Sequence, residues 1–288
     1  HLLEVFNMLK LLKIISLSII SLVFVSSNAF AVSAEDVKAC DGDTHLFTGS
    51  ATACRFTPQS YKANVFEMGL CTVNPMSGAA LDRATCTKVF TATDTTNGSA
   101  HDFALGDAAL VGTSARPANG TYKFPYIILK NVFTIKAEFE RGGTTYYVRK
   151  SGSDCDAVNT TGPAQECDGT LVQFASSGDC DGEYLGARFE GGLLNGYLMQ
   201  ASTLDKRDGA SEDSSGECTN VDRIVGVMEL DTALVIDPSV MNFKFTFNVT
   251  GYGAQMFTGA SRPNNNPNGG GGSGPFSGFF TITNAPQQ

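Results

Sequence analysis

Apolar and polar residues alternate with a period of two along several segments of the chain. In one of these segments Phe243, Phe245, Phe247 and Val249 alternate with Lys244, Thr246, Asn248 and Thr250. Successive side chains of a β-strand point to opposite faces of its sheet, so this pattern predicts a strand with one face on the core.

Two pairs of glycines separate alternating segments and predict β-hairpins. In the first, Phe133, Ile135, Ala137 and Phe139 share one face, Gly142 and Gly143 follow, and residues 146–148 begin the return strand. The second runs from Leu185, Ala187 and Phe189 through Gly191 and Gly192 into residues 193–199. Glycine tolerates the positive φ angles that tight hairpin turns require.

Most of the remaining chain also favours strands. Apolar segments bounded by turn residues predict strands at 121–129, 168–174, 223–230 and 233–236. Within 61–71 the apolar phase shifts from Tyr61, Ala63 and Val65 to Phe66, Met68 and Leu70. The shift predicts either a bulge or a strand buried on both faces. We expect only a short helical turn, near residues 102–111.

Many short strands between Gly, Pro and Asn turns are typical of an all-β fold. We expect an antiparallel β-sandwich of jelly-roll type over residues 32–263. Residues 264–274 (NNNPNGGGGSG) are polar and glycine-rich, which predicts a linker or a long loop. The apolar segment within 275–288 predicts a terminal strand, either paired in its own domain or exchanged with another copy.

The first 31 residues have the features of a secretory signal peptide with an apolar helix. We expect translation to start at Met8, after seven upstream residues. Lys10 and Lys13 precede the apolar stretch 14–25, and Ala29-Phe30-Ala31 is a typical cleavage site. The stretch is shorter than the roughly 20 residues of a membrane-spanning helix. Cleavage and export to the cell surface are therefore expected, with a retained anchor as the alternative.

All eight cysteines follow the expected cleavage site, and an even number in an exported chain predicts disulfides. They fall into two groups of four: Cys40, Cys54, Cys71 and Cys86, then Cys155, Cys167, Cys180 and Cys218. We expect pairing within each group, which leaves several connectivities open. Each bridge is expected to add about 3 kcal/mol of stability, mainly by restricting the unfolded chain.

The net charge of the chain is −9 at pH 7. Removing Glu4, Lys10 and Lys13 with the signal takes away one acid and two bases, which makes the mature chain more acidic. Nucleic acids and anionic membranes require a basic surface. We therefore expect neither as a partner once the signal has been removed.

The sequence contains no recognisable catalytic motif, and we expect neither an enzyme nor a bound cofactor. His45 and His101 are the histidines that remain after cleavage, and neither lies in a motif for nucleophilic catalysis. Paired carboxylates for glycoside hydrolysis are compatible with the composition. The absence of tryptophan argues against them, because sugar sites often use broad aromatic surfaces.

Acidic residues next to cysteines are candidate calcium ligands, because Ca²⁺ prefers carboxylate oxygens. The densest group contains Asp179, Asp181 and Glu183, and smaller groups surround Asp41 and Asp154. None matches the twelve-residue EF-hand loop. Asp and Gly are also common turn residues, and solvated turns beside disulfides are the interpretation we favour.

Four Asn-X-Ser/Thr sequons are candidate glycosylation sites in a host that glycosylates. They begin at Asn97, Asn119, Asn159 and Asn248. Asn248 lies on a predicted strand, where a glycan is harder to accommodate.

The two ends of the mature chain suggest strand exchange between copies. A sandwich that lacks one strand exposes a groove, and a segment of a neighbouring copy fills it through backbone hydrogen bonds and alternate side chains. The candidate donors are residues 32–48 and residues 275–283. Contacts of this kind do not close on themselves, so repeated exchange builds a fibre.

At the level of residues 61–71 (YKANVFEMGLC), the hairpins and the terminal strand, the chain resembles the exported β-sandwich subunits of donor-strand-assembled fimbriae and related environmental filaments. The resemblance implies a structural subunit of an extracellular filament whose partners are other copies of itself. It covers architecture only and transfers no functional residues. The alternative is a monomeric secreted or surface-attached binding module or adhesin domain that depends on surface glycans or calcium.

Overall fold

The described part of the chain consists almost entirely of β-strands. This computed structural model describes residues 38–39, 52–106, 109–141, 143–151, 154–171, 180–189, 191–208, 213, 218–240, 245–247, 249–250, 253–258, 273–274 and 280–281. All of these residues belong to one compact unit, Ala31–Gln288.

The strands are short apart from β3. They are β1 (Lys38–Ala39), β2 (Thr52–Phe56), β3 (Ser60–Cys71), β4 (Cys86–Ala92), β5 (Ser99–Asp102), β6 (Gly112–Ser114), β7 (Gly120–Tyr122), β8 (Phe124–Lys130), β9 (Phe133–Lys136), β10 (Glu138–Arg141) and β11 (Thr144–Ser151). The chain continues with β12 (Asp154–Asn159), β13 (Cys167–Gly169), β14 (Glu183–Phe189), β15 (Gly192–Met199), β16 (Arg223–Leu230), β17 (Leu234–Ile236), β18 (Thr246–Phe247), β19 (Ala254–Thr258), β20 (Ser273–Gly274) and β21 (Phe280–Thr281).

Thirteen strands form one sheet. Its hydrogen-bonded path is β10-β11-β12-β13-β9-β3-β8-β16-β15-β14, with β4 and β5 also paired to β3 and β6 paired to β4. Three smaller sheets have the orders β1-β2-β19-β20, β17-β7 and β18-β21. Among the strands described, β1 with β2 and β12 with β13 are the parallel pairs. The prediction of an antiparallel all-β fold is confirmed. The sandwich architecture and its jelly-roll topology stay predictions, and the predicted signal helix lies outside the described residues.

The central strand β3 contains the bulge that its apolar phase predicts. Its register against β8 shifts between Val65 and Glu67, and its register against β4 shifts between Met68 and Gly69. Tyr61, Ala63 and Val65 contact one core before the shift, and Met68 and Leu70 contact the same core after it. Glu67 and Cys71 are buried on the other face. The strand is therefore both bulged and buried on two faces.

Two hydrophobic cores form on opposite faces of the large sheet. Along β8, Ile127 and Leu129 belong to the first core, whereas Tyr126 and Ile128 belong to the second. Because side chains alternate along a strand, a strand buried on both faces is apolar throughout. The smaller sheets add residues to the first core, including Tyr122, Leu234, Ile236, Phe56 and Ala254. Met76 and Leu81, from the loop between β3 and β4, belong to the second core.

The first predicted hairpin is confirmed. Strand β10 pairs with β11 in antiparallel register, and Gly143 in the turn has φ +70°. The expected inward residues Phe133, Ile135, Ala137 and Phe139 are all buried. The alternating segment is divided at Ala137, whose carbonyl oxygen accepts a hydrogen bond from Val148 N (2.9 Å). This division lets β9 pair with β3 while β10 pairs with β11.

The second predicted hairpin is also present, with a bulge in its first strand. Strands β14 and β15 pair, and Gly191 in the turn has φ +92°. The register shifts between Tyr184 and Ala187, where Gly186 has φ +77°. This bulge changes the side-chain phase, so Leu185 is 40% exposed while Tyr184 packs against the first core.

The other predicted strands differ in how fully they form. Strand β16 coincides with the prediction, and 121–129 becomes β7 and β8. The strand predicted at 233–236 is β17. The helical turn expected near 102–111 is a 3-10 turn at Phe103–Leu105. Of the strand predicted at 168–174, the described residues contain only β13. Of the strand predicted at 243–250, they contain only β18. Residues 264–272, most of the predicted linker, lie outside the described residues.

Two disulfides are defined in atomic detail. Cys71 bonds to Cys86 at the end of β3 and the start of β4, and Cys180 bonds to Cys218. Both pairs join cysteines of the same predicted group. Cys167 is also disulfide-bonded, and none of the described cysteines is free.

Candidate functional site

A polar cleft of about 430 Å³ lies beside the Cys180–Cys218 disulfide. We call it the Lys206 cleft. Its lining residues come from three segments that are distant in sequence: Gly78 and Ala79, then Cys180, Asp181, Gly182 and Glu183, and finally Lys206, Arg207 and Asp208. The volume falls within the range typical of small-molecule sites.

Backbone hydrogen bonds hold the three segments together. Lys206 N donates to Ala79 O (2.8 Å), and Arg207 N donates to Leu198 O (2.9 Å). Leu198 N in turn donates to Gly182 O (2.8 Å). The cleft walls are therefore tied to β15 of the large sheet.

Gly182 permits the close approach of two of these segments. A Cβ atom at this position would lie 2.1 Å from the carbonyl oxygen of Arg207 and 2.8 Å from its carbonyl carbon. Because both contacts are with backbone, no side-chain rotation relieves them. Glycine is required here for steric reasons.

The charged groups of the Lys206 cleft are partly paired. Lys206 Nζ lies 2.8 Å from Glu183 Oε1 and 4.8 Å from the centroid of the Tyr197 ring. Burial, with a smaller effect of the Glu183 charge, raises the pKa of Tyr197 to about 12. Asp181 Oδ1 accepts a hydrogen bond from Glu183 N (3.1 Å). Tyr197 therefore stays neutral beneath the Lys206 ammonium group.

Arg207 differs from its neighbours in the cleft. Its Nε atom is buried, and no acceptor among the described residues pairs with it. An unpaired buried donor costs roughly 1–3 kcal/mol. Arg207 also lines the cleft.

The structure brings two of the predicted calcium ligands to this cleft. Asp181 and Glu183 both line it, but each already has a partner, and Asp179 lies outside the described residues. No group of three or more His, Cys, Asp or Glu residues in the described part of the chain is arranged to hold a metal ion. The Asp181 contact is that of a turn residue, consistent with the interpretation favoured above.

A second charged cluster surrounds Glu67 in the second core. Glu67 is only 6% exposed, and its carboxylate lies 2.6 Å from Arg83 Nε and 2.8 Å from Lys88 Nζ. The fully buried hydroxyl of Tyr126 donates to Glu67 Oε1 (2.6 Å). Gly69 makes room for this ring, because a Cβ there would lie 2.3 Å from Tyr126 Cε1.

The electrostatics of this cluster favour an ionised carboxylate. Burial alone raises the pKa of Glu67, but hydrogen bonds from Lys88, Tyr126 and Arg83 outweigh it, so that the pKa lies below its ordinary value. Burial and the neighbouring Glu67 carboxylate raise the pKa of Tyr126. Each polar atom of the acid has a partner, which is typical of a structural charged network.

The two candidate donor segments each contribute one short strand. Strand β1, from the leading segment, pairs in parallel with β2 at Lys38↔Cys54 and Ala39↔Arg55. Strand β21, from the trailing segment, pairs in antiparallel fashion with β18 at Thr246↔Thr281 and Phe247↔Phe280. Each pairing comprises two residue pairs among the residues that the structure describes.

The site at which β21 pairs is adjacent to the first core. The Phe247 ring lies 4.4 Å from the Phe103 ring and 5.9 Å from the Tyr61 ring, between ring centroids. Phe245 also packs against this core, and Val249 is buried in it. Whatever segment pairs with β18 therefore lies next to a large aromatic cluster.

The sequons occupy different environments. Asn97 and Asn119 are exposed and lie in turns, where Asn97 Nδ2 contacts Asp94 Oδ2 (3.1 Å) and Asn119 Oδ1 contacts Arg116 Nη2 (2.8 Å). Asn159 ends β12, and Asn248 lies outside the described residues. Glycosylation of these positions stays a prediction.

Comparison with protein-family models, with curated proteins and with solved structures finds no match to this chain. Function must therefore be argued from the molecule's own geometry. The disulfides indicate an oxidising, extracellular-type environment. None of the helical segments that the structure describes has the length and hydrophobicity to cross a bilayer.

Sequence reasoning missed Gly182, Lys206 and Arg207. Residues 78–79, 180–183 and 206–208 meet only through tertiary contacts, and no local pattern in the sequence indicates such a meeting. The sequence contains one signal, the acidic residues that flank Cys180, and the disulfide to Cys218 brings distant chain segments near them.

Proposed function

We propose that this protein is a structural subunit of an extracellular filament, built by strand complementation between copies. In this proposal the trailing segment of one copy pairs with β18 of the next. The secreted, cell-surface location expected from the signal peptide belongs to the same proposal.

The observation that carries the proposal is the position of the β18–β21 pairing, which joins the trailing segment to the sheet beside the aromatic cluster. Among the described residues, β21 pairs with β18 at Thr246↔Thr281 and Phe247↔Phe280. The β18 edge offers backbone groups and lies next to Phe103 and Tyr61. A segment from another copy can form the same backbone hydrogen bonds with β18, so exchange replaces the pairing within one chain by an equivalent pairing between chains.

Electron microscopy and light scattering test the proposal. The purified, oxidised protein is imaged by negative stain with both ends intact, and a variant lacking residues 275–288 serves as the comparison. We expect filaments from the intact protein and none from the deletion variant. Persistent monomers of the intact protein contradict filament formation, and unchanged filaments of the deletion variant contradict the role of the trailing strand.

A monomeric surface binding module is the second candidate. It is favoured by the pairing of β21 with β18 within one chain. In that case the terminal strand completes its own domain. The Lys206 cleft is then the main candidate for a binding function.

A further inference from the structure

The Lys206 cleft presents hydrogen-bond donors and acceptors within one small volume. Lys206 and Arg207 are donors that carry positive charge, and Asp181, Glu183 and Asp208 are carboxylate acceptors. Charge-assisted hydrogen bonds are roughly twice as strong as neutral ones. The cleft is therefore suited to a ligand whose polar groups both donate and accept.

Simple ions fit this lining poorly. An anion near Arg207 is repelled by the three carboxylates that line the same cleft. A metal cation meets Lys206 and Arg207, and the described residues contain no cluster of ligands arranged for one. An uncharged ligand avoids both repulsions.

We propose that the Lys206 cleft binds a neutral saccharide. A sugar hydroxyl is at once a donor and an acceptor, so adjacent hydroxyls satisfy a guanidinium group and a carboxylate together. This proposal does not depend on filament assembly, because a subunit and a monomer present the same cleft.

Arg207 and Asp181 have distinct roles in this proposal. Arg207 lines the cleft, and its guanidinium group donates to a sugar hydroxyl. Asp181 uses Oδ1 to accept from Glu183 N, and its carboxylate retains capacity for a further donor. The Glu183–Lys206 pair fixes the wall between them.

Binding is tested on the full-length protein by saturation-transfer NMR and calorimetry. The probes are neutral methyl glycosides of glucose, galactose, mannose and N-acetylglucosamine, with sodium sulfate and calcium chloride as ionic probes. The variants are Arg207→Met and Asp181→Asn, of which the second keeps an oxygen for the turn. Arg149→Met is the control, because β11 lies at the opposite end of the large sheet from β14.

We expect at least one glycoside to bind with a millimolar dissociation constant. Loss of a charged hydrogen bond weakens binding by about tenfold in Arg207→Met. We expect weaker binding in Asp181→Asn as well, and unchanged binding in Arg149→Met. If Arg207→Met does not fold, as judged by near-ultraviolet circular dichroism, glycoside binding by Asp181→Asn alone tests the proposal.

Three results overturn the proposal. One is the absence of binding by every glycoside up to its solubility limit. Another is glycoside binding that neither cleft variant weakens, since the site is then elsewhere. The third is saturable binding of sulfate or calcium that the cleft variants abolish while no glycoside competes.

Discussion

Replacing Glu67 by glutamine removes the negative charge between Arg83 and Lys88 and keeps an oxygen for the Tyr126 hydroxyl. The side chains of Arg83 and Lys88 are 32% and 50% exposed, so solvent screens both pairs. We assign each pair about 0.5–1 kcal/mol. The buried hydrogen bond to a charged acceptor contributes roughly 1.5–3 kcal/mol, of which a neutral amide keeps part. We therefore expect Glu67→Gln to lower the free energy of unfolding by about 2 kcal/mol at pH 7.

Three further variants separate these contributions. Glu67→Ala also leaves the buried Tyr126 hydroxyl without its acceptor, and we expect a loss of about 4 kcal/mol. Tyr126→Phe removes only the hydroxyl and costs about 1.5 kcal/mol. Glu229→Gln is the matched control, because the pair of Glu229 with Lys123 is 2.7 Å long but exposed, and its loss costs at most about 0.5 kcal/mol.

The pH dependence follows from the lowered pKa of Glu67. A carboxyl whose folded-state pKa lies below its unfolded-state value stabilises the folded protein above the unfolded-state pKa, near 4.5. This contribution is lost as the pH falls through the folded-state pKa. The difference between wild type and Glu67→Gln is thus constant from pH 6 to 8 and shrinks below about pH 4.5.

Urea unfolding with intact disulfides measures these differences. Tyrosine fluorescence is a suitable probe, since the chain has eight tyrosines and no tryptophan. If Glu67→Gln is as stable as wild type at pH 7, or if its deficit is the same at pH 3, the cluster does not stabilise the fold through its ionised carboxylate.

Three other changes have defined outcomes. Gly182→Ala places a Cβ against backbone and is expected to cost about 2 kcal/mol or more, whereas Gly78→Ala meets nothing within 4 Å and is neutral in thermal unfolding. Asn131 is 2% exposed, and its side chain donates hydrogen bonds to two backbone carbonyls and accepts one from a backbone amide. We expect Asn131→Ala to lower the free energy of unfolding, measured in urea, by about 3 kcal/mol. Replacing Cys71 and Cys86 by serine opens a loop of 15 residues and is expected to cost about 3 kcal/mol, a value that an unchanged urea midpoint refutes.

Strand positions could be predicted because burial alternates locally along the chain. The hairpin around Gly143 and strand β16 both follow from the period of their apolar residues and from the turn residues beside them. The phase shift in 61–71 also predicted the bulge in β3. In each case the deciding information lies within a few residues.

The predictions were incomplete where the deciding contact is not local. The inward side of β14 changes at Gly186, because the positive φ there inserts a bulge that alternation alone does not reveal. Likewise the sequence pattern indicates an exposed polar residue at Glu67, although this side chain is buried and bonded to Tyr126 of the second core. Arg207 and Gly182 meet only because the segments around β14 and β15 fold together.

The central proposal, strand complementation between copies, concerns which chain supplies the strand next to β18. Thr246 and Thr281 are direct partners in the β18–β21 pairing. Cysteines at both positions are close enough to bond, since paired residues of antiparallel strands have Cα atoms about 4.5–5.5 Å apart. A second variant with cysteines at Thr121 and Val235, partners in the β7–β17 sheet, reports pairing within one chain.

The most direct measurement is non-reducing gel electrophoresis of Thr246→Cys/Thr281→Cys after assembly and oxidation. If neighbouring copies supply the strand, the bonds join chains, and the gel shows a ladder of covalent multimers that collapses on reduction. The Thr121→Cys/Val235→Cys control stays a single-chain band. A single-chain band from Thr246→Cys/Thr281→Cys, with the new bond formed, contradicts strand complementation and assigns β21 to its own domain.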